Sequence, residues 1–449
     1  MVEVIRKIFD RLSEATLLGA GLLVGSFFRF ISLVVCLLRE YRKTTHSVLA
    51  LKLIRKVNSV FGIIIAIPVV LIVRLVAGWV LIRFGHTRSD VIGHSLFDTT
   101  YYLAEREFDR QTSLDIFYFK SPYVANAYWE SVIRRKLRIH HFARYCDLAN
   151  GLIPGGSSHK VNQVPSPPGE SRDLRGILAA TSSPFSFSNN EQTIGEQFLR
   201  MIGMPTGSKY VCLITRDSAY KRSVTRTSEK DWGYHSFRDT DIDAYRPMVQ
   251  ELMARGYWVI RMGKVAEKSL SVPGGDRFFD YSSYSEKTDF LDIWLMSGCT
   301  FCVSNGTGLD AVTDAFRIPL VDVDYLPINH IVSYNCAITV PKKLHWQRNK
   351  DMLSLREYLE HSYFTTQEYS SAGIQVVDLA PDEITKAVVE MDERLSGRWE
   401  NAEGDEDRQK KFWAVLGSSA DYTTLHGVIH PRARCGADFL DRYSGQFLK

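Results

Sequence analysis

With 449 residues, 45% apolar and 24% charged, the chain has the make-up of an ordinary globular protein of more than one domain, which excludes wholesale disorder and a polytopic membrane protein. A net charge of +4, from 55 basic and 51 acidic residues, is small for this length and gives no case for nucleic acid binding, which needs a clustered basic footprint. The seven cysteines are odd in number and follow no disulfide framework, so a reducing compartment, the cytoplasm, is expected for the soluble body.

Two apolar stretches come first, residues 15–38 and 59–77, each long enough as a helix to approach the thickness of a bilayer core. Arg29 lies inside the first stretch and Arg74 near the end of the second. A central arginine costs something like 2.5 to 3.5 kcal/mol on insertion scales, and Pro68 interrupts the second stretch. The segment between them, 39–57, carries six basic residues against Glu40, or +5, and the positive-inside rule keeps such a loop cytoplasmic. A shallow or re-entrant helical pair, with the basic loop on anionic headgroups, reconciles these features with a cytoplasmic body. The alternative is a pair of core helices in a soluble protein.

Residues 79–84 (WVLIRF) read as a strand, 86–90 (HTRSD) as a loop, and 92–104 as a helix. A second strand–helix unit follows at 114–119 (LDIFYF) and 125–137, and a third apolar run starts near Ile139. Such alternation predicts right-handed crossovers and a parallel sheet. Ligands of open parallel sheets sit beyond the carboxyl ends of the strands, which points to the 86–90 loop and to His94 one turn into the helix. An imidazole there can act as general base near neutral pH, and Asp90 is the other candidate. The plainer readings are a helix N-cap for Asp90 and a packing role for His94.

The Gly-, Pro- and Ser-rich run 151–172 reads as an interdomain connection, and a short amphipathic helix follows near 191–202. Residues 209–214 (KYVCLI) form a strand that ends in Thr215, Arg216 and Asp217. The polar loop 218–240 carries Lys221, Arg222, Arg226, His235 and Arg238 ahead of a helix over 241–256. The strand 257–261 (YWVIR) runs into Met262, Gly263 and Lys264, and after a brief strand at 278–281 and a helix at 289–296 the strand 300–303 runs into Ser304, Asn305, Gly306, Thr307 and Gly308. Backbone amides of such a turn, with the positive end of the following helix, suit phosphate, although a plain tight turn also explains the glycines. Arg216, Arg261 and the 304–308 turn all fall at carboxyl ends of strands, so they are expected to converge on one anionic ligand. Asp322 and Asp324, like Asp239, Asp241 and Asp243, could hold a divalent ion, but a strand end and a helix N-terminus explain them without one. Cys299 and Cys302 lack the second pair that a zinc site needs and read as buried structure.

The segments GHTRSDVIGHS, FSFSNNEQTIGEQFL, VCLITRDSAY, YHSFRDTDIDAYRPMVQELMARGYWVIRMGK and DFLDIWLMSGCTFCVSNGTGL together resemble the glycosyltransferases of bacterial surface-polysaccharide and flagellin-associated loci, which often carry an N-terminal apolar segment. The likeness runs from about Arg83 to Val323. It implies an α/β fold of two Rossmann-like domains, GT-B-like, here preceded by an N-terminal apolar helical pair. It also implies metal-independent transfer with no cofactor beyond a nucleotide-sugar donor, and donor contacts from Arg216, Asp217, His235, Arg238, Arg261, Gly263, Lys264 and residues 304–308. The chain departs from the pattern where a histidine is expected on the first donor-domain strand, since Ile214-Thr215-Arg216-Asp217 stands there.

The expected organisation is a membrane-associating segment (1–77), an N-terminal acceptor domain (78–150), a linker (151–189), a C-terminal nucleotide-sugar domain (190–395) and a helical tail (396–449). The expected partners are a nucleotide sugar, a glycan or lipid-linked acceptor and the membrane surface at the cytoplasmic face of the inner membrane. A non-catalytic, membrane-anchored module that binds a nucleotide or a glycan phosphate is the alternative.

Overall fold

The computed structural model describes residues 48–161, 171–216 and 236–449; the first apolar stretch, residues 39–47 of the basic loop, Asp217 and His235 lie outside the described residues. The described chain falls into two compact units. One gathers the described part of Met1–Trp79 with Phe142–His159, and the other comprises Val80–His141 and Lys160–Lys449.

The first unit is a helix pair distant in sequence. Helix α1 (Val48–Leu75) packs against a later helix, Ala143–Leu152, and a Cβ at Gly62 would lie 2.6 Å from the Tyr145 ring, so glycine permits the close approach. Arg74 donates to Asn150 Oδ1 (2.8 Å), to the carbonyls of Asn150 (3.0 Å) and Ile153 (2.9 Å), and to that of Pro154 (2.6 Å).

The second unit is mixed α/β around parallel sheets. Strand β1 (Ile82–Thr87), helix α2 (Ile92–Phe108), strand β2 (Leu114–Phe119) and helix α3 (Ala127–Lys136) follow in order, and β1 and β2 pair in parallel as a sheet of their own. The expected strand at 79–84 thus lies a few residues further on, and the third apolar run contributes only a bridge between Phe117 and Ile139. Ala143–Leu152, counted from sequence with these elements, is helix α4 of the other unit.

Helix α5 (Asn189–Met201) opens with Ser188 accepting from Glu191 N while Glu191 reaches back, a reciprocal cap. Next come β3 (Tyr210–Ile214), α6 (Arg246–Ala254), β4 (Trp258–Met262), β5 (Phe278–Asp280), α7 (Asp289–Gly298), β6 (Cys302–Ser304), α8 (Ala311–Phe316), β7 (Leu320–Tyr325) and β8 (Ala337–Pro341). With the C-terminal β11 (Arg434–Cys435) these strands form one parallel sheet in the order β11-β8-β7-β6-β3-β4-β5. The short antiparallel pair β9 (Lys343–Trp346) and β10 (Ile374–Val377) stands apart.

The central strands are buried along their whole length, as a sheet covered on both faces requires. One cluster, including Val259, Val303 and Val321, extends to the C-terminal helix Ala437–Phe447 through Phe439 and Phe447, so the tail closes over this sheet. The other cluster joins Leu96, Phe117 and Trp129 to Cys212, Ile260 and Trp294. The β1–β2 layer therefore shares its core with the large sheet.

Candidate functional site

In the strand order, β3 has β4 on one side and β6 on the other, and the chain moves outward from β3 in both directions. The carboxyl ends of β3 and β6 flank this reversal, where open α/β sheets leave a crevice for ligands. Arg216 follows β3 and Asn305 follows β6. The Asn305 side chain, 1% exposed, bridges the two loops: its Oδ1 accepts from Arg216 N at 2.7 Å and its Nδ2 donates to the Arg238 carbonyl at 3.0 Å. Arg216 Nε lies 3.5 Å from Asp239, and an Arg238 nitrogen donates to the Gly306 carbonyl. Arg216, Arg238 and the 304–308 turn are thus brought together.

Gly306 has a φ of +78°, where glycine alone is unstrained, and a Cβ there would lie 3.0 Å from both Arg238 Nη2 and the Tyr325 ring. Two amides of the turn are met by its own side chains. Gly306 N donates to Ser304 Oγ (3.1 Å), Thr307 N donates to Asp310 Oδ2 (2.6 Å), and Ser304 Oγ donates to the same carboxylate oxygen (2.7 Å). Of the donors expected at this turn, Thr307 N is therefore already taken by the Asp310 carboxylate, and α8 is a single short helix without a side-chain cap.

Burial raises the Asp310 carboxyl to about 6 and Asp314 to about 7, and it pushes Asp322 well up. The like charges of the neighbouring carboxyls add to the rise at Asp314 and Asp322. Asp322 and Asp324 are buried in β7, and Asp324 accepts from Leu379 N (2.7 Å) and Thr240 Oγ1 (2.8 Å). Asp241 caps a 3-10 turn by accepting from Asp243 N, as a helix N-terminal acid should.

Three other residues expected to contact the donor have structural partners of their own. Arg261, 2% exposed, is a member of β4 and points away from a ligand role: its Nη1 donates to the Lys268 carbonyl (2.6 Å) and to Asp280 (3.1 Å). The sequence places it correctly at a strand end, but alternation along the strand directs its side chain into the β4–β5 structure. Lys264 spans from Asp289 (3.0 Å) to the Ala125 carbonyl (2.7 Å), a strut between two loops. Gly263, at φ +151°, makes the tight exit from β4, with Ser282 3.3 Å from where a Cβ would sit.

The N-terminus of α2 reaches the same turn. A Cβ on Gly93 would lie 3.1 Å from the Gly308 carbonyl oxygen and 3.2 Å from its Cα, so two glycines meet where the helix touches the loop. This contact sets His94 beside the turn. Its Nδ1 is 2.8 Å from Ser171 Oγ, which donates to Asp98 Oδ1 at 2.7 Å. With Ser171 giving its single proton to Asp98, the bond to His94 is supplied by Nδ1–H, and in the neutral ring Nε2 is then the acceptor. Burial raises the Asp98 carboxyl, opposed by the Ser171 hydrogen bond and the His94 charge. Asp90 pairs with Arg88 at 3.2 Å and is not the cap of α2, whose N-cap is Val91.

Asp98 and Ser171 are the residues that sequence reading missed. A signal for Asp98 existed, because it follows His94 by four residues and so lies on the same helix face. Ser171 carried none, being brought in across 77 residues by the tertiary fold.

No family model matches the chain, and no curated protein matches it. Among solved structures it is similar to the ADP-heptose lps heptosyltransferase II of E. coli, at 12% identity over 58% of this chain and 85% of that one, with a TM-score of 0.33. It is also similar to a glycosyl transferase family 9 protein from Veillonella parvula, at 10% identity over 58% of this chain and 86% of that one, TM-score 0.30. A third is the E. coli heptosyltransferase WaaC with ADP, at 11% identity over 57% and 90%, TM-score 0.26. Scores of this size carry no argument about family or activity, so a functional reading has to stand on the geometry.

Proposed function

We propose that the chain is a glycosyltransferase that moves a sugar from a nucleotide-sugar donor to a hydroxyl of a glycan or lipid-linked acceptor, in bacterial surface polysaccharide synthesis at the cytoplasmic face of the inner membrane. The observation that carries this reading is the tie of Arg216 and Arg238 through Asn305 at the β3/β6 reversal, with Gly93, the residue before His94, packed on Gly308 of the turn there and His94 hydrogen-bonded to the Ser171–Asp98 pair.

In this reading Arg216 and Arg238 face the donor diphosphate and stabilise the negative charge that grows on it, in the place a metal takes elsewhere. His94 Nε2 accepts the proton of the acceptor hydroxyl as that oxygen forms its bond to the anomeric carbon. The anomeric C–O bond breaks in the same event, and the nucleoside diphosphate leaves with the electron pair. Ser171 and Asp98 are positioning residues, since they fix the His94 ring and favour the imidazolium that forms.

The test is a thermal-shift screen of nucleotides and nucleotide sugars, followed by turnover with candidate acceptors. A donor that raises the melting temperature and turns over, with turnover abolished in His94→Ala and donor binding kept, supports the proposal. Tight binding with no turnover for any donor and acceptor pair favours the non-catalytic module, and turnover unaffected in His94→Ala removes the base assignment.

A further inference from the structure

Helix α1 presents an unusual surface for a helix in contact with a partner. Gly62, Ala66, Val70 and Val73 are buried and follow one another at steps of four, four and three, a single stripe, with Gly62 against the Tyr145 ring of α4. The exposed Val60, Ile65, Val69, Leu71, Ile72 and Leu75 are spread, at 3.6 residues per turn, over roughly half of the circumference or more. A globular helix shows an apolar stripe of about 100° facing its core and polar residues opposite. An apolar solvent covers such an arc all round, and the segment Val57–Gly78 is long and apolar enough to cross a membrane.

Arg74, at the end of this apolar run, is the obstacle, and α4 removes it. Its guanidinium makes five hydrogen bonds, to the Asn150 side chain and to the carbonyls of Asn150, Ile153 and Pro154, where the helix C-terminus favours a cation. Asn150 is fully buried and completes the lock by donating to the Gly156 carbonyl at 2.8 Å. Beside this polar lock, α4 turns two leucines outward, Leu148 and Leu152, the second 60% exposed.

We propose that α1 and α4 together form one membrane-docking unit in which α1 enters the hydrocarbon, Arg74 is held at the interface by the C-terminus of α4, and α4 rides alongside α1 with Leu148 and Leu152 in lipid. The inference rests on the membrane placement in the functional reading above and is independent of sugar transfer. It gives the segment 143–152 a lipid contact, although it is distant in sequence from the N-terminal apolar region.

The experiment uses the full chain with Cys36→Ser, carrying one environment-sensitive fluorophore at Leu75→Cys, Leu152→Cys or Glu400→Cys, in vesicles of phosphatidylethanolamine and phosphatidylglycerol. The six other cysteines are buried and stay unlabelled. Expected is flotation with the vesicles, and several-fold stronger quenching by lipid-borne nitroxide at 75 and 152 than at the exposed position 400. Quenching at 75 but none at 152 overturns the role of α4 and leaves the membrane placement standing. A probe at 152 that is already shielded without lipid, and is untouched by the quencher, means that protein covers this face and overturns the proposal. Failure to float overturns the membrane placement itself.

Discussion

Asn305 Oδ1 accepts the backbone N–H of Arg216 across 2.7 Å, and this single side chain, 1% exposed, holds the loop after β3 to the loop after β6. Asn305→Ala leaves the Arg216 N–H and the Arg238 carbonyl without this partner in a nearly dry place, at a cost of about 1–3 kcal/mol. Urea denaturation should show that loss, and donor affinity should fall with it. Unchanged stability would show that water takes over both bonds.

Arg216 and Arg261 are alike in sequence but differ in their partners, so their alanine variants should behave in opposite ways. Arg261→Ala takes one partner from the partly buried Asp280 carboxylate, which keeps Leu270 N and Ser282 Oγ, and is expected to cost about 1–3 kcal/mol in denaturation with little effect on donor affinity in the folded fraction. Arg216→Ala, whose guanidinium is near the β3 exit, should weaken donor binding with a smaller change in stability. Calorimetric titration with the donor found by thermal shift checks both.

Ser171→Ala and Asp98→Asn break the chain behind His94 without touching the atom proposed to take the proton. Turnover is expected to fall by about 10²-fold or more with KM little changed, because only the orientation and charge of the base are altered. The pH–rate profile should move as well, which a purely structural role would not cause. Ser171→Thr, which keeps the hydroxyl, should restore most of the rate.

The buried carboxyls near α8 set a pH dependence of stability. Asp314, raised to about 7, and Asp322, pushed well above the usual carboxylate range by burial, hold their protons more tightly folded than unfolded, where an aspartate titrates near 3.9. Their contribution is full below the unfolded value and is lost as pH rises through the folded one. His426 acts in the opposite sense: burial lowers it to about 4, so its contribution is lost as pH falls below about 6.5. Between pH 6.5 and 8 the carboxyls dominate, and the melting temperature should decline. Asp314→Asn should flatten that decline in a calorimetric pH series.

The sequence by itself determined the alternation of strands and helices, because buried parallel strands are short apolar runs and their helices carry a 3.6-residue period; β2 at Leu114–Phe119 was legible to the residue. It also offered Arg216, Asn305 and His94 as candidate site positions, since loops after strand ends are where a parallel sheet exposes polar groups. Tertiary structure alone decided the rest. Which face of β4 Arg261 takes depends on what β5 offers it, and Asp280 is a better partner than water. That Asp310 occupies the 304–308 turn, that Ser171 joins His94 to Asp98, and that α4 belongs with α1 are all pairings across loops or long separations. Local propensity carries no information about such pairings, because their energy comes from desolvation and packing that exist only once the chain has closed.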